Sequence, residues 1–300
     1  MKIGITGASG MIGQGLGSLA LGSGHEVIGY SRRASQQPSP SVTRSLVSSA
    51  TQMLPETKLD ALVHLAGESL LGLWTAAKRD RIWKSRVELT KKLVKELRTW
   101  QPSNRPSVLL CASGIGFYGD RGDEILEENG AAGHGFLADL CREWEAAARE
   151  ARELGIRVVL LRTGVVLGKH GGAFPLMKTA FSFGLGGNLG SGKQWMSWVH
   201  EQDQVSLILW AIENASVVGP MNLCSPHPVT NAEFTQRLAA QLKRPAFMNV
   251  PAFALRWAAR GLAQEMLLSS QRAYPRLATD LGYQFNQAEI TEALAHLSEG

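Results

Sequence analysis

Apolar and polar positions along the first two-thirds of the chain switch repeatedly between strand and helix periods. Lys2-Ile3-Gly4-Ile5-Thr6 is a short apolar run, as expected of a strand buried on both faces, and a glycine-rich turn from Gly7 to Gly13 follows it at once. Leu16, Leu19 and Ala20 then share one face of a helix. Glu26 to Tyr30 reads as a second strand, and residues 34–57, rich in Ser, Gln and Pro, predict mostly loop with one weak strand near Val42. Asp60 to Gly67 reads as a buried strand ending in a glycine turn. Ile82, Leu89, Leu93 and Leu97 lie near helical spacing and predict a long helix from about Thr75 to Trp100. A strand from Ser107 to Ala112, a helix from Phe136 to Leu154 and a strand from Ile156 to Arg162, continuing through Leu167, complete the alternation.

Beyond it, Gly184 to Gly192 holds five glycines in nine residues, which predicts a mobile loop placed to cover a ligand. Trp198 to Asp203 leads into a helix through Trp210. From Pro226 the texture is helical, and Thr230-Asn231-Ala232-Glu233 is a capping box opening a helix with Phe234, Leu238 and Leu242 inward. The whole predicts an α/β fold: a Rossmann-type doubly wound parallel sheet over residues 1–225, with a small, mostly helical lobe at 226–300 over the sheet's open end.

Composition adds limits. With 300 residues, 44% of them hydrophobic and 19% charged, the chain has ordinary globular character. No apolar run reaches the roughly 20 residues that span a bilayer, and the chain enters a strand without a leader-like segment, so a cytoplasmic protein with no membrane partner is expected. Cys111, Cys141 and Cys224 are far apart and read as core residues in a reducing compartment. The net charge of +5 is scattered, and the basic residues of the last third read as solvated helix faces, which argues against nucleic acid. Neither metal-ligand spacing nor Gly-x-Ser-x-Gly occurs.

The strongest chemical signal is the first turn. Gly7 permits a tight bend, Gly10 lets the backbone approach a pyrophosphate, and Gly13 allows close helix–strand packing. The backbone of Ser9, Met11 and Ile12 at the helix N-terminus supplies partial positive charge. A ligand-free strand–helix turn is the plainer alternative. After the second strand, where NAD-binding units place an acid on the ribose, the chain offers Ser31-Arg32-Arg33. A guanidinium binds a 2′-phosphate that a carboxylate would repel, which points to NADP(H), two solvated arginines being the alternative.

Several further segments resemble the extended short-chain dehydrogenase/reductases, the nucleotide-sugar epimerase and dehydratase branch. His64-Leu65-Ala66-Gly67 resembles the strand end that lines adenine and ribose, and Ala112 to Gly119 the serine-rich strand ending in Tyr-Gly. Leu161-Arg162-Thr163-Gly164, with Val165 after it, resembles the segment beside the nicotinamide, and Val199 to Asp203 the His-x-x-Asp segment. More narrowly, Leu65-Ala66-Gly67-Glu68, Ser85-Arg86, Gly116-Phe117-Tyr118-Gly119-Asp120 and Trp144-Glu145 are similar to a subgroup of "epimerase family" proteins with a short helical C-terminal domain. The resemblance implies NADP(H)-dependent oxidoreductase or epimerase-like chemistry on a small molecule, and in extended relatives dimerisation through helices such as 75–100 and 136–154.

The superfamily's Tyr-x-x-x-Lys, in which Lys lowers the phenol pKa, is missing. Residues four beyond Tyr30, Tyr118, Tyr274 and Tyr283 are Ala34, Gly122, Ala278 and Gln287. Replacement groups are Ser113, which either bonds a carbonyl or caps the next turn, and Tyr118, which either donates a proton or packs the turn. Glu68 reads as a base or a surface carboxylate, His200 as a titrating or a structural residue, and Asp139 as solvent-facing. Arg86 and Arg162 read as phosphate clamps or as partners in ion pairs. Two classes stay open: an NADP(H)-dependent enzyme with an unconventional proton donor, and an NADP(H)-sensing protein without chemistry.

Overall fold

The computed structural model describes residues 1–31, 40–47 and 53–298. Its N-terminal half runs β1 (Lys2–Thr6), α1 (Met11–Gly22), β2 (Glu26–Ser31), β3 (Arg44–Val47), β4 (Ala61–His64), α2 (Ala76–Trp83), α3 (Leu89–Thr99), β5 (Val108–Gly114), β6 (Ile125–Leu126) and α4 (Phe136–Arg149). There follow β7 (Arg157–Thr163), β8 (Val165–Leu167), α5 (Phe174–Ser182), β9 (Trp195–Met196), β10 (Trp198–His200), α6 (Glu201–Glu213) and β11 (Gly219–Leu223). The chain closes with β12 (Val229–Thr230), α7 (Asn231–Leu242), α8 (Ala252–Leu262), β13 (Arg272–Ala273), α9 (Arg276–Asp280) and α10 (Ile290–Ser298).

Seven strands form one parallel sheet in the order β11-β7-β5-β4-β1-β2-β3. The winding reverses between β1 and β4, where Thr6 lies opposite His64. In such sheets the crevice at the carboxyl ends of the strands at this reversal is where ligands bind.

Alternation along each strand feeds two hydrophobic layers. Ile3, Ile5, Val63, Leu110, Val159 and Leu161 pack against α1 and α6, through Leu16, Leu207, Ile208 and Ala211. Leu62, Leu109, Val158 and Leu160 face the other way, onto Ile82, Leu93, Leu97 and Trp144 of α2 to α4. Burial on both faces is why these strands read as continuous apolar runs.

The predicted elements recur with instructive differences. The weak strand expected near Val42 is β3, just beyond it. The long helix carries one wide π-turn at Lys84–Glu88, and the helix expected to reach Leu154 tightens to 3₁₀ at Glu150–Leu154. The strand expected through Leu167 stops at Thr163, because Val165 N donates to Ser197 O at 2.8 Å and β8 pairs with β10 instead of the sheet. Thr230 Oγ accepts from Glu233 N at 3.2 Å, the cap expected for α7.

The C-terminal region is mostly helical and touches the sheet domain at several places. Phe234 and Leu238 of α7 and Leu294 of α10 join Phe174 and Trp198 in a third hydrophobic cluster. β13 pairs with β6, and Ala278 of α9 is buried in the layer over α1 and α6. The glycine loop 184–192 is tied to the same region: Gly190 N donates to Val250 O at 2.8 Å and Val250 N to Asn188 O at 2.9 Å.

Candidate functional site

The turn after β1 is built as its glycines predict. Gly7 has φ of +75°, and a Cβ there would stand 3.0 Å from the Ala66 nitrogen, so the loops after β1 and β4 touch across the crevice. A Cβ on Gly13 would run into the Gly7 carbonyl oxygen and stand 2.8 Å from Ala8 Cα. The first bond of α1 runs from Gln14 N to Gly10 O at 2.8 Å. Earlier N–H groups of that turn therefore lack helical partners. No side chain caps the helix and no acid lies in its first turn. Gly7, Ser9, Gly10, Met11, Ile12 and Gly13 thus present an anion-ready backbone that fits a dinucleotide pyrophosphate. Met11 Sδ packs under the 168–172 segment, within 2.8 Å of a Cβ position on Gly168.

Beneath the crevice lies a hydrogen-bond chain whose members are far apart in sequence. Thr6 Oγ meets His64 Nδ1 at 2.7 Å, His64 Nε2 meets Thr90 Oγ at 3.1 Å, and Trp144 Nε1 donates to Thr90 Oγ at 2.9 Å. Burial pushes the His64 pKa down to about 4, so the ring is neutral at ordinary pH. The chain fastens the ends of β1 and β4 to α3 and α4.

Leu65, Ala66, Gly67 and Glu68 line the turn after β4. Glu68 N donates to Ser85 Oγ at 3.0 Å, which gives the Ser85-Arg86 pair a structural use. The Glu68 carboxylate accepts from Lys78 Nζ at 2.8 Å, and Lys78 holds its pKa below the usual carboxylate range, so the group is a paired anion and a poor base. Arg86 is turned inward by the π-turn, with its guanidinium 5.3 Å from the Trp144 ring centroid and beside Gly67. Its hydrogen bonds are long and local, 3.3 Å to Ser85 Oγ and 3.5 Å to Ile82 O. Arg32 and Arg33 lie outside the described residues, and Ser31 ends β2 at the crevice's far side.

At the ends of β5 and β7 the geometry corrects two expectations. Arg162 is no phosphate clamp: it is 2% exposed and binds Glu145 through two bonds, Nε to Oε1 at 2.8 Å and Nη2 to Oε2 at 2.9 Å. Its Cζ also lies 3.5 Å from the Phe117 ring centroid. Tyr118 packs the turn and is not placed to donate a proton: it is wholly buried, and its hydroxyl accepts from Arg162 Nη1 at 3.0 Å. The hydroxyl proton lies between Asn222 Oδ1 at 2.8 Å and Glu127 O at 3.0 Å. Burial pushes its pKa up to about 12. Tyr118 packs the turn because a phenol with this many internal partners gains nothing from facing solvent.

Ser113 lies near the end of β5, buried, and its Oγ donates to Glu145 Oε1 at 2.9 Å. Glu145, 1% exposed, also accepts from Arg149 Nη2 at 2.8 Å. The sequence pattern alone marks Glu145 as a residue that needs a buried partner. It falls on the stripe of Leu137, Leu140, Cys141, Trp144 and Ala148 that faces the core, and a carboxylate on such a stripe needs a buried cation. His200 caps α6 through Nδ1 and faces His296 at 3.2 Å, a structural place, while Asp139 pairs with Arg142 on the surface.

The N-terminus of α4 is closed from afar. Glu265 accepts from Phe136 N at 3.1 Å and from Leu137 N at 2.6 Å. Among the described residues no group of three or more His, Cys, Asp or Glu could hold a metal ion, and no helix is long and apolar enough to cross a membrane.

Comparison with known proteins bears on this arrangement. Residues 3–224 match the NAD dependent epimerase/dehydratase family, and residues 250–297 match a domain of unknown function, DUF1731. An epimerase family protein of Mycobacterium bovis is 38% identical over 98% of this chain and 96% of its own length. A chloroplastic homologue from Arabidopsis thaliana is 36% identical over 98% of this chain and 86% of its own. The crystal structure of human epimerase family protein SDR39U1, solved with NADPH, shares 32% identity with a TM-score of 0.88 and full coverage of both chains. With its reversal-point crevice and open glycine turn, this chain belongs to the NAD dependent epimerase/dehydratase family, within the extended short-chain dehydrogenase/reductases.

Proposed function

We propose that the chain binds NADPH across the crevice between β1 and β4 and works as an oxidoreductase on a small carbonyl or hydroxyl compound. The observation that carries the cofactor half is the uncapped, acid-free first turn of α1 beside Gly7 and Gly13. The NADPH in the human relative supports it. In this reading the backbone from Gly7 to Gly13 holds the pyrophosphate, and Ser31, Arg32 and Arg33 select the 2′-phosphate. Leu65, Ala66, Gly67 and Glu68 line the adenosine side with Arg86 behind them, and Val165 packs at the nicotinamide end.

Bound NADPH supplies a hydride at nicotinamide C4. The chain's own residues then position and exclude water. Because the Ser113 proton is committed to Glu145, Ser113 offers lone pairs: it orients a substrate hydroxyl or a carboxamide N–H and donates to neither. The proton for a reduced carbonyl comes from water, and forgoing a positioned acid slows the step by roughly 10²–10⁴-fold without abolishing it. The region 226–300 covers the open end of the sheet in this reading, anchored by Glu265.

A second reading, an NADP(H)-sensing protein without chemistry, is favoured by the internal saturation of Tyr118 and Ser113. Titration followed by tryptophan fluorescence tests the shared part. NADPH is expected to bind more tightly than NADH, with most of the gap lost in Arg32→Glu, and equal affinities would refute the cofactor assignment. Incubating the NADPH-loaded protein with a panel of aldehydes and ketones separates the two. Loss of nicotinamide absorbance that persists in Tyr118→Phe supports the enzyme, and tight binding with no oxidation supports the sensor.

A further inference from the structure

Large exposed apolar side chains are concentrated on one part of the surface. The strand-like segments at 184–190 and 247–252 run side by side, with Met248 N donating to Gly186 O at 2.9 Å and Leu189 bridging Val250 in parallel. Leu185, Phe247 and Met248 stand exposed on these segments, and Phe183 just before the first. α8 continues directly from them, its Ala252 Cβ 3.6 Å from a Cβ position on Gly190. Its outer face carries Phe253 and Trp257 one turn apart, 74% and 86% exposed, with Arg256 between them. Six large apolar side chains on adjoining segments exceed the isolated surface hydrophobes that need no explanation.

Charge selects the occupant. Between Glu233 and Glu265 the chain has Arg237, Lys243, Arg244, Arg256 and Arg260 and no Asp or Glu, and of these Arg237 is paired with Glu233. From Lys169 to His200 it has Lys169, Lys178 and Lys193, again with no acid. Arg256 Nε is held by the neutral Gln264 Oε1 at 3.0 Å, and among the described residues no ion pair engages it. A second copy docking through this face would set like charges against each other. An anionic lipid surface complements both the aromatics and the basic residues.

We propose that this face is a peripheral docking surface for an anionic phospholipid bilayer. Phe253 and Trp257 enter the boundary between headgroups and acyl chains, and Lys243, Arg244 and Arg256 meet the lipid phosphates. This departs from the sequence expectation of no membrane partner, and it concerns contact with a surface, since no described helix is fit to cross one. It stands apart from the cofactor assignment.

Cosedimentation of the full chain with vesicles tests it. Vesicles of equal parts phosphatidylcholine and phosphatidylserine are expected to pellet the protein at low salt, and vesicles of phosphatidylcholine alone are not. The double variant Phe253→Ser/Trp257→Ser is expected to bind at least about tenfold more weakly, as the loss of two buried aromatics requires. Lys243→Glu/Arg244→Glu is expected to lose binding by a similar factor, and rising salt to release the wild type. Because these side chains are exposed, unchanged melting temperatures verify that the variants fold. No binding to the anionic vesicles, equal binding to neutral ones, or serine variants that bind as the wild type does would each overturn the proposal. So would a wild-type dimer in sedimentation that the serine variants convert to monomer, which would assign the face to a second copy.

Discussion

The N-termini of α1 and α4 both face the carboxyl ends of the same sheet, and the rest of the chain treats them oppositely. That of α1 has no capping side chain and no acid in its first turn. That of α4 is closed by Glu265, 129 residues away from Phe136 in sequence, at 3.1 and 2.6 Å. Each helix offers the same unsatisfied backbone donors. Readiness for a ligand is therefore a property of what the fold withholds from a helix end as much as of the helix. The corner below α4 extends the contrast, since Ser113, Tyr118, Asn222, Glu145 and Arg162 satisfy one another internally.

The comparison can be broken from either side. Glu145→Ala, on the closed side, leaves Arg162 buried without a counter-ion and should lower stability by about 3–5 kcal/mol. Calorimetry should show it as the largest loss of melting temperature. A loss below about 1 kcal/mol would mean that the corner is wetter than its geometry shows.

The His64 chain under the open side predicts a pH dependence of comparable size. Its folded pKa of about 4 lies below the ordinary 6.5, so the unfolded chain takes up a proton first as pH falls. Stability is then full above the upper value and declines down to the lower, by up to about 3 kcal/mol. His200, also depressed by burial, acts in the same direction. His64→Asn should flatten the melting curve's slope against pH between those values, at some cost in stability.

Gly13→Ala fills the open turn. It should weaken NADPH binding roughly a hundredfold, about 3 kcal/mol, because the Cβ meets backbone and displaces the turn, and the same overpacking should lower stability by about 1–3 kcal/mol. An affinity within a few-fold of the wild type would remove the pyrophosphate from this turn. Glu265→Gln is the mildest change, about 1 kcal/mol from loss of the charge at the α4 end. Limited proteolysis should then cut the segment around 252–267 faster while leaving NADPH affinity unchanged.

How much of this was legible follows from sequence distance. The glycine turn, its flanking strand and helix and the sheet's alternation are encoded within stretches of a few residues, where spacing alone determines which groups meet. The closed corner is not: Tyr118 finds Asn222 after 104 residues, and α4 finds its cap after 128 or more. Tyr118 looked chemical because a phenol beside a glycine turn fits the superfamily's needs, and only the fold shows its hydroxyl already engaged. Arg162 misled in the same way, because an arginine at a strand end suggests an anion from solvent, whereas its anion is Glu145, 17 residues earlier.

The wide turn at Lys84–Glu88 acts as a gear between α2 and α3. One extra residue in a helix advances everything beyond it by about 100°. Leu89, placed inward by an uninterrupted pattern, is half-buried, while Thr90, Leu93, Val94 and Leu97 take the core face. Deleting a single residue there would leave both helices intact and rotate the second out of mesh. Thr90 would part from His64 and Trp144, and Arg86 would swing away from the turn after β4.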